Sequence, residues 1–161
     1  VSTHSDIELE LKAASARGFG NKLVTRLLRS SMHGLLSASV CLISYDGHHS
    51  GRRYLTPVQY APWGNSILIL VGRPERKAWW RNMATEDGYP VDVMIERQWT
   101  TTAARSYLGA DHREFVNKMC DAYVARFPRT AKTLNTTSAQ ARESIRFVLC
   151  TPPTPNRDGP H

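Results

Sequence analysis

The densest set of groups able to hold an anion lies in Gly47-His48-His49-Ser50-Gly51-Arg52-Arg53. This run reads as a turn opening into a strand through Tyr54, Thr56, Pro57 and Val58. Its glycines let the backbone approach a ligand closely, because no Cβ stands in the way. Exposed N–H groups in such a turn, with the Ser50 hydroxyl and the guanidinium of Arg52 or Arg53, can cradle a phosphate. The run is not a Walker loop, since no G-K-[ST] occurs. It is not a dinucleotide fingerprint either, since G-x-G-x-x-G before a helix is absent. A polar hairpin turn accounts for the same residues equally well.

The second set is Val71-Gly72-Arg73-Pro74-Glu75-Arg76-Lys77-Ala78-Trp79-Trp80-Arg81-Asn82. The cations Arg73, Arg76, Lys77 and Arg81 crowd together where an apolar strand leads into a helix. Cations beside a helix N-terminus favour an anion. The indoles of Trp79 and Trp80 offer flat apolar walls for an aromatic ring. Adjacent helical residues point about 100° apart, so one indole faces a ligand while the other pins the helix.

Other chemistries fit poorly. Adjacent His48 and His49 in a strand point to opposite faces, which argues against a metal pair, and no metal is expected. No Ser-His-Asp order or paired-carboxylate helix points to hydrolysis. Cys41, Cys120 and Cys150 are odd in number and form no C-x-x-C pair, so neither a zinc knuckle nor a disulfide framework is indicated. Each sits in an apolar run and reads as a buried free thiol, as expected in a reducing compartment.

The elements that must position these residues follow from periodicity. Residues 5–17 read as a short charged helix, broken by Gly18 and Gly20. Asn21 can cap a second helix with Leu23, Val24, Leu27 and Leu28 on one face and Lys22, Arg26 and Arg29 on another. From Ser39 the period becomes two. Strands are expected at Val40 to Tyr45, Arg53 to Ala61 and Ile67 to Val71, the last two joined by a turn at Pro62-Trp63-Gly64-Asn65. A short helix is expected at Arg76 to Ala84. A fourth strand carries Val91, Val93 and Ile95, and Thr100-Thr101-Thr102 mark a fifth. Asp111 can cap a helix bearing Phe115, Met119, Tyr123 and Phe127, which Pro128 ends. After a Ser/Thr-rich connection, Ile145, Phe147 and Leu149 mark the last strand. The expected class is α+β: a split β-barrel of about six mostly antiparallel strands, with N-terminal helices and a helix packed before the last strand. The expected divisions are a helical extension at 1–18, the barrel domain at 19–151 and a mobile tail at 152–161.

The formal net charge of +7 among 161 residues calls for an anionic partner. The basic residues are not arranged around a nucleic-acid reading motif, so no nucleic acid is expected. No apolar run reaches the ~18 residues of a membrane span, and no signal-peptide pattern opens the sequence. A cytoplasmic protein is expected, with peripheral membrane contact through the basic face of the N-terminal helices as an added reading.

Taken together, the run Leu27 to Ser37 (LLRSSMHGLLS), the run Gly47 to Val58 (GHHSGRRYLTPV), the WWRN of residues 79–82 and the helix ending AYVARFP resemble the deazaflavin-dependent nitroreductase family. That family lies within the split-β-barrel flavin and deazaflavin oxidoreductases, and the resemblance covers roughly residues 20–150. It implies binding of the reduced deazaflavin coenzyme F-420 and hydride transfer to an electron-poor acceptor: a quinone, a nitroaromatic or an activated alkene. The family's coenzyme phosphate and tail positions fall on Gly47, His48, His49, Ser50, Gly51 and Pro57, and its Trp-x-x-Asn falls on Trp79 and Asn82. Two histidines replace the basic residues that usually follow Gly47, and Tyr54 stands where Arg is common. Imidazole ordinarily titrates near ~6.5, so at neutral pH most of that charge is missing, and Arg52, Arg53, Arg73, Arg76 and Lys77 are the available compensation. A proton donor at the ring's open face is sought first in Tyr123, then in Tyr107, then in Tyr54. Two alternatives stay open: an FMN-binding relative, and a non-catalytic coenzyme or lipid carrier on the same fold. A homodimer through edge strands is compatible with the fold.

Overall fold

The computed structural model describes residues 38–134 and 142–154. The two expected N-terminal helices, most of the Ser/Thr-rich connection and most of the tail lie outside the described residues. The strands are β1 (Val40–Asp46), β2 (Arg53–Gln59), β3 (Ala61–Trp63), β4 (Ser66–Leu70), β5 (Tyr89–Ile95), β6 (Gln98–Leu108) and β7 (Arg146–Thr151). They hydrogen-bond in the order β2-β1-β5-β6-β7-β4-β3. Helix α1 (Arg113–Arg126) and the single turn α2 (Ala131–Leu134) precede β7. The fold is the split β-barrel expected from the sequence, with seven strands among the described residues rather than about six. Its chain divides into two compact units, residues up to Tyr60 with Asp92–Thr100, and Ala61–Val91 with residues from Thr101 onward.

In the first unit β1 is the buried strand, with Cys41, Leu42, Ile43 and Tyr45 in the core. It pairs antiparallel with β2 from Val40↔Gln59 to Asp46↔Arg53, and with β5 at Leu42↔Met94, Ile43↔Val93 and Ser44↔Asp92. Paired residues share a face and neighbours alternate. Tyr45, Tyr54, Ile43, Thr56 and Val93 therefore lie on one side, and Leu42, Pro57, Met94, Asp46, Arg53 and Asp92 on the other. The β5–β6 connection is the two-residue Glu96-Arg97, both at positive φ (50° and 66°). That is the geometry of a type I′ hairpin, which ordinarily takes Asn-Gly.

In the second unit α1 lays Val116, Met119, Cys120 and Tyr123 against Ala61, Leu68, Leu134 and Phe147. Trp63, Tyr107 and Phe115 close one end, Phe115 lying 5.3 Å from the Trp63 ring and 4.9 Å from that of Tyr107. The segment entering β7 is docked on the Gly109 turn: Gly109 N–H donates to Ile145 O at 2.9 Å and Ala110 N–H to Glu143 O at 3.0 Å.

Several expected boundaries move. The strand read as Arg53 to Ala61 is two, because β2 pairs with β1 whereas Ala61–Trp63 pairs with β4, and the switch falls at Tyr60, whose N–H donates to Ser39 O. The turn shrinks to Gly64-Asn65, with Gly64 at φ 61° where a type II′ turn takes glycine. The helix expected at Arg76 to Ala84 is a 3-10 turn over Trp79–Met83. Asp111 does not cap α1: His112 holds the N-cap position, with no side-chain capping bond. All three cysteines are buried free thiols, as expected. Among the described residues, no helix is long and apolar enough to cross a membrane.

Candidate functional site

The turn joining β1 to β2 is held by its own backbone. Gly47 N–H donates to Arg52 O and Gly51 N–H to Gly47 O, both at 2.8 Å. A Cβ on Gly47 would stand 2.6 Å from Ser50 Oγ and 2.8 Å from Tyr54 Cε2, so any larger residue there must displace those two side chains. Gly51 adopts φ 62°, with nothing within 4 Å of where its Cβ would point. The turn is thus left-handed at Gly51 and open on its outer side. His48, His49, Ser50 and Arg52 are exposed. The two histidines lie in this turn rather than in a strand, so the opposite-face argument does not apply; their ring centroids are 5.1 Å apart, edge to face. Ser50 Oγ accepts from Arg52 N–H and hydrogen-bonds the Tyr54 hydroxyl, each at 3.3 Å.

Arg53 has a different job from the one the sequence implied. Its guanidinium donates to the Asp92 carboxylate and pairs with Asp46 at 3.4 Å. These partners, Asp92 first, raise its pKa further. An exposed ion pair of this kind is worth only ~0–1 kcal/mol. Its larger effect is on charge: the Asp46 and Asp92 carboxylates offset the Arg53 guanidinium. Tyr54, 41% exposed, stacks on buried Tyr45 with centroids 5.5 Å apart. Burial pushes the Tyr45 phenol up, a hydrogen bond with Thr56 partly opposing it. Thr56, Pro57 and Val58 are half-buried along β2.

The second unit holds the other candidates. Arg73 (φ 53°), Arg76 and Lys77 are exposed in the loop after β4. Because the following element is one 3-10 turn, the helix N-terminus expected to help them is missing. Trp80 is the structural indole. Its Nε1–H donates to Pro74 O at 3.0 Å, and the Arg146 guanidinium lies 3.8 Å over its ring. Arg146 in turn donates to Ser106 Oγ at 2.8 Å, and burial lowers its pKa, Asp111 partly opposing. Trp79 is half-buried, and its ring meets no other ring or cation among the described residues. The Asn82 amide donates to Trp79 O at 2.9 Å and closes the turn.

Tyr123 is misplaced as a proton donor. It is 2% exposed, packs against Phe127 and Phe147, and burial pushes its phenol up to about 12. A phenol in a packed core cannot meet a substrate. Tyr107 is half-buried, edge-on to His112 at 5.2 Å with the Arg105 guanidinium 5.2 Å over its ring. Sequence reading missed Arg146, whose cation inside an otherwise apolar strand was the available signal. It also missed Trp99, 49% exposed. Among the described residues no group of three His, Cys, Asp or Glu is placed to hold a metal.

No family model matches the chain, and no curated protein does. Solved structures do. A domain-swapped dimer is 15% identical, covering 80% of this chain and 94% of its own, with a TM-score of 0.52, and shares the fold. An F-420-H2-dependent reductase (FDR-A) is 14% identical over 70% of this chain and 93% of its own, at a TM-score of 0.49. A FAD-binding protein from Mesorhizobium loti is 12% identical over 78% of this chain and 91% of its own, at 0.46.

Proposed function

We propose that this chain binds the deazaflavin coenzyme F-420 in its reduced form and passes hydride to an electron-poor acceptor. The observation that carries the reading is the β1–β2 turn: exposed, glycine-built, and open at Gly51 where an anion's oxygen could approach. It falls on the residues that the sequence resemblance assigns to a coenzyme phosphate. His48, His49, Ser50 and Arg52 are the groups that would hold that phosphate; Arg53 orders the strand end through its two aspartates. In the second unit Trp79 is the indole not committed to packing, since Trp80 lies beneath Arg146. When bound, the coenzyme supplies the hydride. The chain's part is to bind, orient and exclude water. Tyr54 or Tyr107, both reachable from solvent, is the proton donor in this reading.

The engagement of Arg53 by Asp46 and Asp92 favours one second reading, an FMN-binding protein, because a shorter anionic tail needs fewer cations. Titration with oxidised coenzyme F-420, and separately with FMN, decides between them by fluorescence at low and high salt. Micromolar, salt-sensitive binding of the deazaflavin alone supports the proposal. Preference for FMN moves the chain to the flavin reading, and binding of neither overturns both.

A further inference from the structure

Ser50 and Tyr54 meet across the β1–β2 turn, their hydroxyl oxygens 3.3 Å apart. We infer that they bind an anion as a unit: a hydroxyl pair that always holds one O–H in reserve for an oxygen of the bound phosphate. The inference rests on the coenzyme reading for its natural ligand and on the geometry of the turn for its mechanism.

The turn and the core together set the pair. Gly47 lies beneath both side chains, since a Cβ there would stand 2.6 Å from Ser50 Oγ and 2.8 Å from Tyr54 Cε2. The Tyr54 ring is fixed from the core side. It faces its cross-strand partner Tyr45, which is buried, and the two rings stack 22° from parallel with centroids 5.5 Å apart. Tyr45 is itself held by a side-chain hydrogen bond with Thr56. Ser50 is fixed from the turn, its Oγ accepting from Arg52 N–H at 3.3 Å.

A count of hydrogens gives the rest. A hydroxyl has one hydrogen to donate and two lone pairs to accept with. Two hydroxyls bonded to each other use one hydrogen between them and keep the other. Whichever of Ser50 and Tyr54 donates, its partner's O–H is left over, and both residues are exposed. A ligand oxygen at the usual ~2.8 Å of an O–H···O bond can be within reach of both, because they lie so close together. Losing one hydroxyl therefore leaves the other's hydrogen for the ligand, and only losing both removes the donor. A phenol engaged at the phosphate end is not free for the acceptor, so Tyr107 is the proton donor that remains.

The test compares wild type with Tyr54→Phe, Ser50→Ala and the double variant, each checked by urea unfolding for an intact fold. Phenylalanine keeps a ring on Tyr45 and removes only the hydroxyl. Oxidised coenzyme F-420 is titrated into each by fluorescence at one pH and one salt concentration. Each single variant is expected to bind less than about twofold weaker. The double variant is expected to bind about tenfold weaker or more, the ordinary loss for a hydrogen bond to a charged oxygen. The deciding quantity is the double variant's loss against the product of the two single losses. A loss above that product supports the shared donor, and a loss equal to it or below it overturns the inference. If wild type does not bind the coenzyme, the coenzyme reading fails and inorganic sulfate becomes the probe, read on the backbone N–H NMR signals of Ser50, Gly51 and Arg52. Sulfate-dependent shifts that survive each single substitution and vanish in the double variant support the pair. Any other pattern, including no shift in wild type, overturns it.

Discussion

Gly109→Ala isolates one contact on which the second unit depends. A Cβ there would fall on the Arg142 carbonyl oxygen, with the carbonyl carbon 3.0 Å and Glu143 Cα 3.3 Å away. All three are backbone atoms, so no side chain can rotate aside. Forcing a methyl group into packed structure costs about 1–3 kcal/mol. If residues 142–145 retreat instead, the bonds from Gly109 N–H to Ile145 O and from Ala110 N–H to Glu143 O are strained or lost, at roughly 1 kcal/mol each. Reduced freedom of the unfolded chain returns about 0.4–1 kcal/mol. The net expectation is a destabilisation of about 1–1.5 kcal/mol, read from urea unfolding as a lower midpoint at unchanged slope. Gly72→Ala is the control: nothing lies within 4 Å of its Cβ, so it should be neutral or slightly stabilising. If the two variants unfold within about 0.5 kcal/mol of each other, the docking of this segment on Gly109 is wrong.

Other expectations follow from the same structure. Burial raises the Cys150 thiol from 9.0 to about 12 and the Tyr123 phenol from 10.0 to about 12. Both are raised in the folded state, so their contribution is complete below pH 9 and is lost as pH climbs toward 12. The melting temperature should fall from about pH 9 upward, and less steeply in Cys150→Ala; a flat profile to pH 11 would refute this. Tyr123→Phe should leave turnover of any acceptor within about twofold, and a large loss of kcat would restore Tyr123 to the chemistry. Glu96→Asn with Arg97→Gly relieves two positive-φ side chains and should stabilise by about 1 kcal/mol in the same urea assay. Trp80→Ala should lower stability by about 3 kcal/mol, whereas Trp79→Ala should change coenzyme affinity with a much smaller loss of stability.

The buried strands were legible because their signals are local. The run Ile67 to Val71 and the every-fourth-residue stripe Phe115, Met119 and Tyr123 of α1 declare themselves in windows shorter than ten residues. What escaped depends on partners far away in sequence. Alternation continues unbroken from Tyr54 through Tyr60, so nothing local marks the change of partner that splits β2 from β3. Ala103-Ala104-Arg105-Ser106 have little strand propensity, yet they extend β6 because β7 pairs with them from Ala103↔Thr151 onward. The turn at Gly47 was legible as a turn with anion-binding groups. That Arg53 is neutralised by Asp92, 39 positions away, was not. Likewise one indole of the Trp pair had to be structural, but only the approach of Arg146 identifies which.

The three native cysteines have a practical use that follows from their burial. Cys41, Cys120 and Cys150 are each at most 2% exposed, and burial raises the thiols of Cys120 and Cys150. Thiolate is the reactive form, so all three sulfurs are shielded, and those of Cys120 and Cys150 are also held in the protonated thiol form. A single cysteine introduced at exposed Asn65 would then be the fast-reacting thiol among the described residues. A fluorophore could be attached there without first stripping the core of its own sulfur atoms.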